Sequence, residues 1–204
     1  MLLPETFIPL AEELHLVGQI DQWVLREAGR QLMAWQIGPA ASPLWMNVNA
    51  STESLHHIGQ IAESLIDHPV AGPWRIQVEI TERLLTHRED DDALTLDLLR
   101  RAGVDLVVDD FGTGYSSLSS LHRFPVKTFK IDRSLVEAID DNFELIRAIV
   151  VMGGALGMTV VAEGVETQEQ QRRLLELGVS VAQGWLFAPP LHPEHVEAYF
   201  RSHS

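Results

Sequence analysis

Short runs of apolar, β-branched residues alternate along this chain with longer segments in which apolar residues recur at helical spacing. This alternation is typical of a parallel α/β sheet whose strands are linked by helices. The short runs predict six strands: Leu44–Asn49, Trp74–Glu79, Val104–Asp109, Lys127–Lys130, Met158–Glu163 and Val179–Gln183. The periodic segments predict helices at Glu5–Glu13, Gln19–Trp35, Ser51–Ile66, Asp90–Ala102, Asn142–Leu156, Thr167–Leu177 and Pro193–Arg201. The pattern therefore predicts one repeated α/β unit rather than two domains.

Each predicted strand ends in a polar or charged residue, which a buried strand usually avoids. The six terminal residues are Asn49, Glu79, Asp109, Lys130, Glu163 and Gln183. In a parallel α/β barrel the carboxyl ends of the strands form the active site. With Asp110 added, such a barrel would gather four carboxylates, one lysine and two amides. Because clustered carboxylates repel one another unless a cation neutralises them, the pattern predicts bound metal ions.

Charge and composition narrow the kind of ligand. The 204 residues carry a net charge of −14, which disfavours binding of DNA or an anionic membrane through a basic face. The chain has no cysteine, so thiolate metal sites and disulfides are excluded. No apolar run approaches the ~20 residues of a membrane span. Residues 1–20 lack the pattern of a signal peptide, so we expect a cytoplasmic location.

The number of strands leaves two folds open. Six strands are two short of a closed eight-stranded barrel. Either the sheet is open, as in doubly wound folds, or a barrel lacks its first strands.

Several longer motifs favour the second fold. They are Val78–Glu82, Asp109–Ser117, Phe129–Asp132 and Val161–Glu166, together with Phe7–Glu12, Val48–Ser51 and Gln183–Phe187. From about Pro4 to the C-terminus, their order resembles that of the EAL-domain family of cyclic di-GMP phosphodiesterases. The resemblance implies a modified TIM-like (β/α) barrel whose first two strands precede the part that matches. We therefore expect residues 1–204 to form a single EAL-like domain that is truncated at its N-terminus.

The resemblance also implies roles for the residues at the strand ends. Asn49, Glu79, Asp109 and Asp110 match metal ligands. Adjacent aspartates on a strand point to opposite sides, so both would reach one site only if the strand breaks into a loop at Phe111-Gly112.

The remaining matched residues have catalytic or supporting roles. Glu163 matches the general base, and Lys130 matches a residue that holds water or a phosphate oxygen. Asp132 matches a residue that orients Lys130 or ligates near it, and Gln183 one that positions water or ligand. The matched residues of the loops and the pocket mouth are Glu82, Thr113, Gly114 and Glu166. A lone acidic residue after a strand is more often a helix N-cap, and this alternative stays open for each one taken singly. Trp185 follows Gln183-Gly184, and packing is the favoured role for its ring, with flanking of a base as the alternative.

The implied activity is two-metal hydrolysis of cyclic di-GMP to the linear dinucleotide pGpG, with Mg²⁺ or Mn²⁺. The Glu-Ala-Leu tripeptide that names the family, whose glutamate is a metal ligand, does not occur in the sequence. We therefore expect this chain alone to be weak or inactive, with a non-catalytic cyclic di-GMP-binding or protein-interaction module as the alternative.

Partners are expected on two grounds. Family members are commonly attached to sensory or cyclase domains. In addition, the exposed edges of the first and last strands would favour a homodimer or a partner segment. Apolar residues that face the barrel interior, such as Val48 and Val181, would also meet water.

Overall fold

The computed structural model describes residues 3–35, 44–51, 74–81, 101, 104–112 and 126–203. The helices are α1 (Pro4–Glu13), α2 (Val17–Ala34), α3 (Arg133–Glu137), α4 (Ile139–Leu156), α5 (Gln168–Glu176) and α6 (Pro193–His203). The strands are β1 (Leu44–Asn49), β2 (Trp74–Thr81), β3 (Asp105–Phe111), β4 (Val126–Ile131), β5 (Thr159–Ala162) and β6 (Val181–Ala182). The strand order is β1–β2–β3–β4–β5–β6. The pairs β1–β2, β3–β4, β4–β5 and β5–β6 are parallel.

The described elements agree closely with the predicted ones. All six predicted strands are present, with β6 shorter than expected and β2 and β3 extending two residues further. The five-residue helix α3 was not predicted. The predicted helices Ser51–Ile66 and Asp90–Ala102 lie outside the described residues except at Ser51 and Arg101.

The chain divides into two compact units. The first comprises Met1–Ile80, Arg88–Asp105 and Glu197–Ser204, and the second Thr81–His87 and Leu106–Val196. The first unit therefore holds α1, α2, β1 and nearly all of β2. The second holds β4 to β6, α3 to α5 and all of β3 but its first residue.

In the first unit, α2 packs on β1 through a stripe at helical spacing. Leu25 and Leu32 on this stripe are buried. Asp21 lies on the same stripe and is also buried, and its Oδ2 accepts a hydrogen bond of 2.8 Å from the backbone N–H of Ser51. A buried carboxylate is tolerated where such donors meet it, so α2 fixes the chain just beyond β1.

The core of the second unit lies around β4. Phe129 and Ile131 are fully buried, and the Phe129 ring lies 4.7 Å from that of Phe111 between centroids. A Cβ placed on Gly153 of α4 would come within 2.7 Å of Val160 Cγ2 and 2.9 Å of Phe129 Cζ. The missing side chain therefore lets α4 lie close to β4 and β5, which holds the carboxyl ends of these strands in place.

The start of α5 follows its sequence pattern. Thr167 is the N-cap, and its side chain accepts a hydrogen bond from the backbone N–H of Gln170. The Gln170 side chain in turn accepts from the backbone N–H of Thr167, so both halves of a capping box are present. The predicted cap is confirmed, and it fixes the chain that connects β5 to α5.

The expected exposure of the edge strands is right for one residue and wrong for the other. Val181 is 45% exposed, as expected. Val48 is only 5% exposed, because the open face of β1 carries Trp45, Asn47 and Asn49 and the opposite face is covered. Successive residues of a strand alternate between faces, so Val48 belongs to the core side.

Candidate metal and catalytic site

Lys130 is a buried cation one residue before the end of β4. It lies between Phe129 and Ile131 in β4, and its side chain is 3% exposed. Its Nζ lies 3.3 Å from Asp109 Oδ1 and forms a second ion pair with Glu163 Oε1. Burial of an ammonium group is costly unless carboxylates compensate it. Lys130 therefore ties together the carboxyl ends of β3 and β5.

Glu163 directly follows β5 and is held by its backbone and its side chain. Its N–H donates to the carbonyl oxygen of Ile131 at 3.2 Å. Its Oε1 accepts a hydrogen bond of 2.5 Å from Gln183 Nε2. The N–H of Gln183 donates to the carbonyl oxygen of Ala162 at 2.9 Å, which continues the β5–β6 pairing. The structure thus brings Glu163, Lys130 and Gln183 together.

A β-bulge turns Asp109 and Asp110 towards the same place. Val108 pairs with Phe129 and Phe111 with Ile131, so the two aspartates stand opposite Lys130 alone. Asp110 has a φ of 55°, and its N–H donates to Asp109 Oδ1 at 3.0 Å. A bulge inserts an extra residue and re-aims a side chain. As expected, β3 ends at Phe111 and Gly112 begins a turn, and the unpredicted bulge at Asp109-Asp110 lies just before this break.

Three carboxylates meet at this point. One carboxylate oxygen from each of Asp109, Asp110 and Glu163 lies within 4.8 Å of the others. The surrounding protein desolvates the Asp110 carboxyl group, although one side stays open to solvent, and this raises its pKa. The charges of Asp109 and Asp132 raise that pKa further, and Lys130 lowers it. The carboxylates outnumber the single ammonium group, so the cluster favours an additional cation.

Asp132 has the ordinary structural role of an acid that follows a strand. It is the N-cap of α3, and its Oδ1 accepts hydrogen bonds from the Ser134 N–H at 2.9 Å and from the Ser134 hydroxyl group. It also lies close enough to Asp110 to raise the pKa of that carboxyl group. Asp132 thus connects the start of α3 to the acidic cluster.

A pocket of about 580 Å³ opens beside Glu163 and Gln183. Its other walls include Arg133, Glu166 and Trp185. Trp185 is 68% exposed, so the expectation that its ring packs in the core is wrong. This wall depends on Gly184, where a Cβ would lie 2.2 Å from the carbonyl oxygen of Val165. The pocket gives the acidic cluster a neighbouring space in which a ligand could lie.

Asn49 and Glu79 belong to the first unit and are paired in register, Asn49 as the last residue of β1 and Glu79 two residues before the end of β2. Asn49 is exposed, whereas Glu79 is buried and accepts a hydrogen bond of 2.7 Å from Asn47 Nδ2 at Oε1. Asn47 was not predicted as a site residue, although its place two residues before Asn49 puts it on the same face of the strand. The predicted residues Glu82, Thr113 and Gly114 lie outside the described residues.

Comparison with known proteins identifies the family. The family model of the EAL domain matches residues 1–190. The chain belongs to the EAL-domain family. It is 38% identical over 205 residues to the bifunctional diguanylate cyclase/cyclic di-GMP phosphodiesterase MucR of Pseudomonas aeruginosa, covering 97% of this chain and 30% of MucR. It is 36% identical over 209 residues to the cyclic di-GMP phosphodiesterase NbdA of the same organism, covering 100% of this chain and 26% of NbdA.

Solved structures agree with the EAL-domain assignment. The PaMucR phosphodiesterase in complex with c-di-GMP superposes with a TM-score of 0.81 at 36% identity, covering 95% of this chain and 80% of that one. BlrP1 of Klebsiella pneumoniae, in a calcium/cy-diGMP complex, gives a TM-score of 0.71 at 33% identity, covering 85% and 44%. The predicted α/β barrel fold of the EAL type is confirmed. The chain spans less than a third of the length of the curated relatives MucR and NbdA.

The side chains of this EAL domain fit hard divalent cations. Carboxylate and amide oxygens are the ligands that Mg²⁺ and Mn²⁺ prefer, and the chain has no thiolate to select a softer metal. The three converging carboxylates supply such oxygens and an excess of negative charge. No helix among the described residues is long and apolar enough to cross a membrane.

Two further residues near the predicted ones were missed by sequence reasoning. Arg133 lines the pocket and directly follows the motif Phe129–Asp132. Its position next to that motif could have indicated a place near the site. Asp21 is a single acid in the apolar stripe of α2, a position where a charged residue needs a specific partner.

Proposed function

We propose that this chain binds cyclic di-GMP and hydrolyses one of its phosphodiester bonds to give the linear dinucleotide pGpG. The observation that carries the proposal is the convergence of Asp109, Asp110 and Glu163 beside a buried lysine and an open pocket. The similarity to two cyclic di-GMP phosphodiesterases and to a phosphodiesterase bound to c-di-GMP supports the choice of substrate.

We assign Asp109 and Asp110 as metal ligands, with Asn49 and Glu79 as further ligands by family resemblance. When bound, two divalent cations would neutralise charge on the phosphodiester and lower the pKa of a bound water. The oxygen donors suit Mg²⁺ or Mn²⁺ and do not distinguish between them.

Glu163 is the proposed general base. Its carboxylate accepts the proton of the attacking water as the water oxygen bonds to phosphorus and the bond from phosphorus to one ribose 3′ oxygen breaks. The departing oxygen takes up a proton from solvent and remains on the linear dinucleotide as a hydroxyl group. Lys130 and Gln183 both contact Glu163 Oε1, so they fix the position of that carboxylate. Lys130 also offsets the charge of Asp109, which keeps the acids close enough together to act on one substrate.

A second candidate function is a module that binds cyclic di-GMP without turnover. The observation that favours it is the absence of a Glu-Ala-Leu tripeptide from the sequence. One carboxylate fewer would weaken metal binding, so we expect slow turnover from this chain alone. We also propose that attached sensory or cyclase domains regulate the activity and that the protein acts in the cytoplasm.

Hydrolysis itself is the test. The chain is incubated with cyclic di-GMP and Mn²⁺, and the nucleotides are separated by chromatography. We expect slow formation of the linear dinucleotide, its abolition by EDTA, and faster formation by a chain extended with an N-terminal segment that carries Glu-Ala-Leu. If both chains bind cyclic di-GMP but neither hydrolyses it, the non-catalytic module is favoured. If the extended chain neither binds nor hydrolyses cyclic di-GMP, the proposal is overturned.

A further inference from the structure

The five residues that follow β5 carry Glu163 and are fixed from several sides; we call residues 163–167 the base segment. Its Glu163 and Val165 N–H groups donate to the carbonyl oxygens of Ile131 and Gln183, at 3.2 and 3.0 Å. The N–H groups of Glu166 and Thr167 both donate to Gln170 Oε1, at 2.8 and 2.9 Å. These bonds leave Gly164 as the residue in which the chain turns, with a φ of 67°.

Arg133 covers this turn. A Cβ built on Gly164 would lie 2.3 Å from Arg133 Cγ and 2.9 Å from its Cβ and Cδ. Glycine is therefore required at residue 164 by the backbone conformation and by the closeness of the arginine stem. Beyond the stem, Arg133 Nη2 donates to Glu166 Oε1 at 2.9 Å, and Nε forms an ion pair with Glu137. The side chain thus touches the base segment at two places.

Arg133 directly follows Asp132, which lies beside Asp110 of the acidic cluster. Asp132 caps α3 and lies beside Asp110, so α3 begins between the acidic cluster and the base segment. We propose that Arg133 is a positioning residue that holds the base segment, and therefore Glu163, in place against Lys130 and Gln183. The inference rests on the proposed role of Glu163, and its test separates the two.

The exposed ion pair of Arg133 with Glu166 should contribute little to the stability of the fold. The side chains of Arg133 and Glu166 are 55% and 39% exposed, and pairs of this kind contribute little to stability. Arg147 in α4 provides a matched control, because it forms an ion pair with Glu144 at 61% and 71% exposure and is not among the residues that line the pocket. A purely structural role predicts that Arg133→Met and Arg147→Met behave alike.

The experiment compares these two variants of the 204-residue chain with the wild type. In Arg133→Met we expect amide hydrogen exchange of the base segment to speed up about threefold, with a melting temperature close to that of Arg147→Met. With cyclic di-GMP and Mn²⁺, kcat should fall about tenfold while KM stays within about twofold, because a misplaced base slows chemistry more than binding. Arg147→Met should match the wild type in both measurements.

Three outcomes would overturn the proposal that Arg133 holds the base segment. Wild-type exchange in the base segment of Arg133→Met, or equal effects in both variants, would overturn it. A higher KM at unchanged kcat would also overturn it, because Arg133 would then contact substrate directly. If neither the wild type nor the chain extended with the Glu-Ala-Leu segment hydrolyses cyclic di-GMP, the proposed function fails, and the exchange measurement still decides whether Arg133 holds the segment.

Discussion

Replacement of Glu163 by glutamine should remove most of the hydrolysis of cyclic di-GMP. The glutamine keeps the shape of the side chain, and its carbonyl oxygen can still accept the hydrogen bond that Gln183 donates to Glu163. It cannot accept a proton from water, and a positioned general base contributes about 10²–10⁴-fold. We expect kcat to fall by that factor in Glu163→Gln, measured at saturating Mn²⁺ and cyclic di-GMP.

A matched control for this change is Glu144→Gln. Glu144 is exposed on α4 and pairs with Arg147, so its loss of charge should leave kcat unchanged. Full activity in Glu163→Gln would show that Glu163 is not the general base. Its carboxylate would then serve only as the ion-pair partner of Lys130.

Replacement of Lys130 by methionine should cost both activity and stability. Methionine fills a similar volume but leaves Asp109 and Glu163 without the buried cation that both contact. Breaking a buried ion pair by removing one partner typically costs about 3–5 kcal/mol. We expect Lys130→Met to lose about 3 kcal/mol of unfolding free energy in EDTA, by urea denaturation, and to lose about 100-fold in kcat.

Two comparisons sharpen this result. Lys127 lies in the same strand but is exposed, so Lys127→Met should change the unfolding free energy by less than about 0.5 kcal/mol. Mn²⁺ should restore part of the stability of Lys130→Met, since a bound cation compensates the same carboxylates. A variant as stable as the wild type in EDTA would show that Lys130 does not hold the acids together.

The sequence predicted all six strands, with ends correct to within two residues, because burial and alternation are local signals. A parallel sheet places the carboxyl ends of its strands on one edge, so the pattern of strands alone predicts that Asp109, Lys130, Glu163 and Gln183 lie near one another. The capping box of Thr167 and Gln170 was likewise predictable, because both partners lie within one turn of helix.

What could not be predicted depends on register and on side-chain contacts. The bulge at Asp109-Asp110 is a mismatch between β3 and β4, and nothing in the residues of β3 alone reveals which residue of β4 they face. The contact of the Arg133 stem with Gly164 joins the first residue of α3 to the connection between β5 and α5. Val48 was assigned to the wrong face because the packing of α2 on the sheet, and not the strand itself, decides which face is covered.

Calorimetry with Mn²⁺ measures whether the carboxylates that converge at β3 and β5 hold divalent cations. The wild-type chain should bind Mn²⁺, and Asp109→Ala should bind it at least about tenfold more weakly. Removal of a residue that only hydrogen-bonds to a metal ligand typically weakens metal binding by about 10–100-fold, so removal of a ligand itself should weaken it at least as much. Asp140→Ala serves as the control, since Asp140 is exposed on α4 and pairs with Arg173. Equal Mn²⁺ affinity in the wild type and Asp109→Ala would contradict the assignment.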